Sequence, residues 1–221
     1  MSSKDAITRR PPVDAFWRPD WPTMEVPDGH ALPSLYYHAA LGIVAARFNS
    51  LEAYFRMLVG STIGLQAKSF DVALTHVGSR TLGEMLAAAS VDLISSESVR
   101  DELTFARLIF DNNTMNRNFL IHSARELHDL LRRKDDGILA TKRTAHKRLK
   151  VEHYIIPIEV LRRTADQIHE AIGYFAQLVG PLRHHKDGTP LELPSRPLLP
   201  DILMNTHPKV DMSYLLQTAT P

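Results

Sequence analysis

Arg117, Asn118 and His122 fall within six consecutive positions and carry the side-chain types that metal-free cleavage of an RNA phosphodiester requires. An imidazole titrates in the range where it takes a proton from a ribose 2′-hydroxyl or returns one to a departing 5′-oxygen. A guanidinium keeps its charge and offers a two-pronged fork matched to phosphate oxygens. The Asn118 amide donates to a phosphate oxygen or holds the imidazole. One histidine does not readily serve both faces of one phosphate, so a twofold axis bringing two copies together would divide the acid and base tasks.

The surrounding pattern is helical. Val99, Leu103, Ala106 and Phe110 lead in and Leu120, Ala124, Leu127 and Leu131 lead out, at steps of three and four. Continued across the gap, the same steps land on Asn113 and Arg117, so an amide and a guanidinium occupy an otherwise apolar stripe. At roughly 100° per residue, Asn118 and His122 project within about 40° of each other. Arg117 points about 140° away from His122, with a side chain long enough to bend toward the same space. The low helix propensity of Asp111-Asn112-Asn113-Thr114 predicts a kink or break just ahead of the motif.

The string Arg117-Asn118-x-x-x-His122, late in a helical domain, resembles the signature of the HEPN superfamily (higher eukaryotes and prokaryotes nucleotide-binding). Phe48-Asn49-Ser50-Leu51-Glu52 opens a hydrophobic helical run similar to an early helix of many bacterial members, and the resemblance covers about residues 34 to 181. It implies a homodimer whose motif helices meet at a composite cleft, with Arg117, Asn118 and His122 in the catalytic positions and RNA cut to leave a 2′,3′-cyclic phosphate. Apart from the resemblance, Glu52 and Asn113 are candidate supporting residues, Glu52 either as an acid orienting Arg117 or as half of a solvated pair with Arg56. Neither metal nor cofactor is implied. A toxin or phage-defence role, with a protein antitoxin as a further partner, comes with the resemblance.

The elements that would position these residues follow from the prolines. Six of the fourteen fall in residues 1 to 33 and six in 190 to 221, leaving the middle free to be helical. The expected fold is all-α: an up-down bundle of four to five helices with a short basic loop or β-hairpin insertion and extended proline-rich arms. The arms are residues 1–33, where Phe16, Trp17 and Trp21 suggest packing against the domain or a partner, with a disordered arm as the alternative, and residues 182–221, an extended binding segment or strap on a neighbour or else an unstructured tail. The helical domain is 34–181.

A first helix is expected from Ser34 to about Val59, with Glu52 and Arg56 four apart and able to pair on its flank, before Gly60 and Gly64. A second region, 67 to 90, is expected to be interrupted near Gly78, and Ser95 or Ser96 to cap the motif helix. Pro157 suits the first turn of the last long helix, which Gly180-Pro181 is expected to stop.

Residues 132 to 150 carry a local balance of +6 against +1 for the whole chain. Lys142, Arg143, Lys147 and Arg148 are therefore the candidate phosphate-binding residues; a solvated loop or hairpin is the alternative. The chain of 221 residues is 44% hydrophobic, enough for one good core. It holds no cysteine, which excludes disulfides and thiolate metal sites and favours a reducing compartment. The first residues do not form a secretory signal, and no run reaches the roughly 18 apolar residues of a membrane span. A cytoplasmic location with no membrane partner is the expectation.

Two other classes fit parts of the chain. In a noncatalytic HEPN-like module that binds nucleotides or proteins, Arg117 and His122 would form a satisfied polar layer. A metal-dependent phosphohydrolase would use His128-Asp129 with His122. A di-iron bundle is disfavoured because no Glu-x-x-His motif occurs, and His184-His185 reads as an exposed pair.

Overall fold

The computed structural model describes residues 32–65, 67–123, 137–146, 148–184, 192–207 and 209. All but the end of the N-terminal arm, Lys147, the His128-Asp129 pair, the basic run 132–136 and the chain beyond Lys209 lie outside these residues. The described chain is mostly helical, with one two-stranded antiparallel sheet. No described helix is long and apolar enough to cross a membrane.

Helix α1 (Leu32–Thr62) keeps Val44, Phe48, Leu51, Phe55 and Leu58 buried, the three-four stripe read from the sequence. It runs through Gly60 to Thr62 and is closed off by Gly64, whose φ of 76° is the left-handed conformation that lets the Leu65 N–H turn back to the Gly60 carbonyl at 2.8 Å. Gly60 itself marks a close approach: a Cβ there would lie 2.5 Å from the ring of Phe70 on α2 (Ala67–Leu74). The interruption expected near Gly78 separates α2 from α3 (Ser79–Leu93), with Gly78 extended at the helix start.

Helix α4 (Glu97–Ser123) begins after Ser96, whose carbonyl accepts from Arg100 N–H. The Ser96 hydroxyl is paired with that of Ser98. The expected break at Asp111–Thr114 does not occur; the helix is continuous to Ser123. Its weak formers are held by side-chain bonds compatible with helical backbone. Asn113 and Thr114 donate to the carbonyls one turn back, of Ile109 and Phe110, and Asn112 donates to the carbonyl of Pro200.

Strands β1 (Gly137–His146) and β2 (Arg148–Pro157) pair along their length, from Gly137 with Pro157 to His146 with Arg148, so the basic segment takes the hairpin form of the two anticipated. Pro157 ends β2, and α5 (Ile158–His184) starts one residue later. Pro181 lies inside α5 instead of ending it. Gly180 has no Cβ for the proline ring to meet, and the last turn is anchored by buried Leu182 and by Arg183 over the Phe70 ring. The short α6 (Leu203–Thr206) follows the irregular segment 192–202.

The chain divides into two compact units. The core unit comprises Val44–Phe119 and Thr164–Thr206. Its centre is a column of rings, with Phe55 stacked on Phe110 at 3.8 Å between centroids, Phe48 on the far side of Phe110 at 6.1 Å, and Phe175 of α5 tilted against Phe55. Arg47 ties α1 to α5 by bonding the Ala165 carbonyl at 3.0 Å and the Asp166 carboxylate at 3.4 Å.

The hairpin unit comprises Met1–Ile43, Leu120–Arg163 and His207–Pro221. Tyr37, Ala40, Leu120, Tyr154, Ile156 and Leu161 are buried in it. A single antiparallel bridge joins Tyr154 of β2 to Lys209, whose ammonium pairs with Glu152 at 2.6 Å.

Candidate functional site

Arg117 sits at the end of the aromatic column. Its Cζ lies 5.4 Å from the Phe48 ring centroid, where the negative face of the ring attracts the cation. One terminal nitrogen donates to Asn118 Oδ1 at 2.8 Å, so the structure brings the first two motif residues into direct contact. The Nε–H is buried and has no acceptor, and among the described residues Arg117 makes no ion pair. A half-buried guanidinium that makes no ion pair with the described residues keeps its charge available to an anion.

Asn113, one turn earlier, is fully buried. Its Nδ2 is used by Ile109, while Oδ1 has no donor. Arg117 and Asn113 thus leave unmet polar atoms of opposite kind on successive turns. Such orphans are rare in folded proteins, which makes this part of α4 chemically distinct from a plain packed segment.

His122 is exposed in the last turn of α4, five positions after Arg117 on the same unbroken helix. Glu52 is engaged elsewhere on its own flank. Its Oε2 pairs with Arg56 at 3.2 Å and its Oε1 accepts from Ser79 at 2.6 Å, the local pairing that the i,i+4 spacing favours. In the hairpin, Lys142 stands opposite Glu152, Arg143 opposite Val151 and Arg148 opposite His146 in the strand register. Among the described residues no three His, Asp or Glu side chains gather as metal ligands would.

The sequence reading missed a second face of α4. Glu102, Ile109, Asn116 and Ser123 recur every seven residues and all are buried. The Glu102 carboxylate accepts from the Tyr174 hydroxyl at 2.5 Å and from Arg196 Nε at 2.8 Å, and Arg196 also lies over the Phe105 ring. Burial, and then the hydrogen bond and negative charge of Glu102, push the Tyr174 phenol well above its ordinary range. Asn116 donates to the Asp201 carbonyl at 2.7 Å and accepts from the Leu203 N–H at 2.9 Å. Two polar residues at heptad spacing beside Ile109 were the available signal, since buried polar groups require partners and a proline-rich tail supplies free carbonyls.

Comparison of the chain with models of known families, with curated proteins and with solved structures finds no match.

Proposed function

We propose that the protein is a metal-independent RNA endonuclease of HEPN type, working as a homodimer with a composite active site. The observation that carries this reading is the Arg117 guanidinium, in no ion pair among the described residues and braced by Phe48 and Asn118, on the same continuous helix as an exposed imidazole at His122. In this reading an up-down arrangement of the long helices, flanked by proline-rich arms, presents the motif helix to a second copy in the cytoplasm.

Arg117 neutralises charge on the phosphoryl oxygens. His122 takes the proton from a ribose 2′-hydroxyl. The 2′-oxygen attacks phosphorus as the bond to the 5′-oxygen breaks, and His122 of the second copy gives that oxygen a proton. The products are a 2′,3′-cyclic phosphate and a 5′-hydroxyl. Asn118 holds the guanidinium, and Lys142, Arg143, Lys147 and Arg148 draw in the polyanion. A toxin or phage-defence role, restrained by an antitoxin protein, is the biological setting this activity fits.

The test is cleavage of single-stranded and transfer RNA by the purified protein in excess chelator. Wild type is expected to cut and His122→Ala to be inactive while keeping its oligomeric state. Full activity in His122→Ala would remove the assignment. RNA or nucleotide binding without cleavage by the wild type would leave the noncatalytic module.

A further inference from the structure

The segment 192–206 runs alongside α4 in the same direction and is fixed to it at rising positions. Arg196 meets Glu102, the Pro200 carbonyl meets Asn112, and Asp201 and Leu203 both meet Asn116. The fourteen steps from Glu102 to Asn116 rise about 21 Å along a helix. The six steps from Arg196 to Ile202 reach about 20 Å when extended. The two lengths are alike, as for a segment drawn out along the helix, which Pro197 and Pro200 favour by fixing φ. Leu203, buried, closes the far end.

We propose that this segment is a clasp that positions Arg117. At the motif end of the clasp two backbone groups bond Asn116, the residue directly before Arg117, and so take both functions of its buried amide. Arg196 supplies the cation that pairs with the buried Glu102 carboxylate. Release of the clasp leaves a carboxylate and an amide unmet on one side of α4, and the helix turns to rehydrate them. That rotation carries Arg117 away from Phe48. Asn116 and Arg196 are therefore positioning residues: they touch no substrate and act through the orientation of the guanidinium. The link to catalysis rests on the nuclease reading; the link to Arg117 geometry does not.

The experiment uses the full chain and two readouts. The first is the arginine side-chain N–H spectrum, in which the Arg117 Hε signal is identified by its loss in Arg117→Lys. Wild type is expected to show it slowly exchanging. In Arg196→Ala and in Leu203→Ala it is expected to move and exchange at least tenfold faster, with recovery in Arg196→Lys. The second is deuterium uptake: a peptide over 196–206 is expected to be protected in wild type and to lose protection together with 112–122 in Arg196→Ala. Uptake of 196–206 in wild type at the rate of an unstructured peptide overturns the clasp. An unmoved Arg117 signal with the clasp released overturns its positioning role. RNA cleavage, run in parallel, is expected to fall about tenfold in kcat with KM little changed in Arg196→Ala. Absence of cleavage by the wild type would instead count against the nuclease reading while the spectra still decide the clasp.

Discussion

The Arg117 guanidinium rests against the ring of Phe48, 5.4 Å from its centroid, and Phe48 is in turn buried against Phe110. The cation at the centre of the proposed chemistry is thus placed by the hydrophobic core itself. A cation–π contact of this kind contributes about 1 kcal/mol. Its larger effect is to restrict a side chain that otherwise carries about 2 kcal/mol of rotamer entropy.

Phe48→Leu is therefore expected to affect the motif before it affects the fold. The substitution keeps an apolar side chain at a buried position and costs about 1–2 kcal/mol of stability, read by denaturant unfolding. RNA cleavage is expected to fall about tenfold, the equivalent of about 1.4 kcal/mol in the barrier. Arg117→Lys, which keeps charge and loses the planar fork, is expected to cost about 100-fold. Equal activity in Arg117→Lys and wild type would show that only charge is required.

The Glu102–Arg196 pair offers a sharper comparison. Arg196→Ala leaves a buried carboxylate whose one remaining side-chain partner among the described residues is a phenol, at a cost of about 2–3 kcal/mol after allowing for the half-exposed guanidinium. Glu102→Gln in the same chain removes that charge while keeping an oxygen to accept from Tyr174. The double variant is expected to recover at least about half of the loss, a coupling that a double-mutant cycle of unfolding free energies measures directly. Simple addition of the two costs would mean the pair is not coupled.

Tyr174 sets the alkaline limit of this cluster. Its phenol titrates above the ordinary value because burial and the neighbouring Glu102 disfavour the phenolate. In the unfolded chain a tyrosine loses its proton near pH 10, whereas in the fold Tyr174 keeps it. The unfolded state therefore binds fewer protons above that pH, and stability falls as pH rises past about 10, having been fully present below it. Tyr174→Phe is expected to flatten this part of the stability–pH curve and to remove a late-titrating tyrosine from an absorbance titration. An unchanged curve would assign the alkaline loss to other groups.

What the sequence disclosed follows from which interactions are local. The stripes of α1, α4 and α5 were legible because burial repeats with the helical period, from Val44 to Leu58 and from Leu161 to Val179. The Glu52–Arg56 pair was legible for the same reason, whereas the basic segment read equally as a loop or a hairpin and the structure gives the hairpin. The continuity of α4 through Asp111–Thr114 was not, because propensity counts what the backbone prefers alone and Asn112 and Asn116 are satisfied by residues more than eighty positions away. The passage of α5 through Pro181 was missed because a proline in the last turn costs little when Gly180 precedes it and Leu182 is buried beyond it. At the candidate site, residue types and spacing pointed to Arg117 and His122. The Phe48 platform and the clasp depend on tertiary packing that no periodicity encodes.

Gly60 separates these two kinds of information in one position. In a helix interior, glycine to alanine normally stabilises by about 1 kcal/mol, since alanine loses less backbone freedom on folding. At Gly60 the added methyl would lie 2.5 Å from the ring of Phe70. That ring is buried and has Arg183 stacked on it, so it is not free to swing away. Overpacking of this kind costs about 1–3 kcal/mol, and with displacement of a whole ring the upper part of the range applies. Gly60→Ala is therefore expected to lower stability by about 1–2 kcal/mol in spite of its better propensity, measured as a drop in the urea midpoint at unchanged slope. Phe70→Leu in the same chain relieves the contact and is expected to return part of that loss. A Gly60→Ala variant more stable than wild type would mean that α2 does not approach α1 as closely as described.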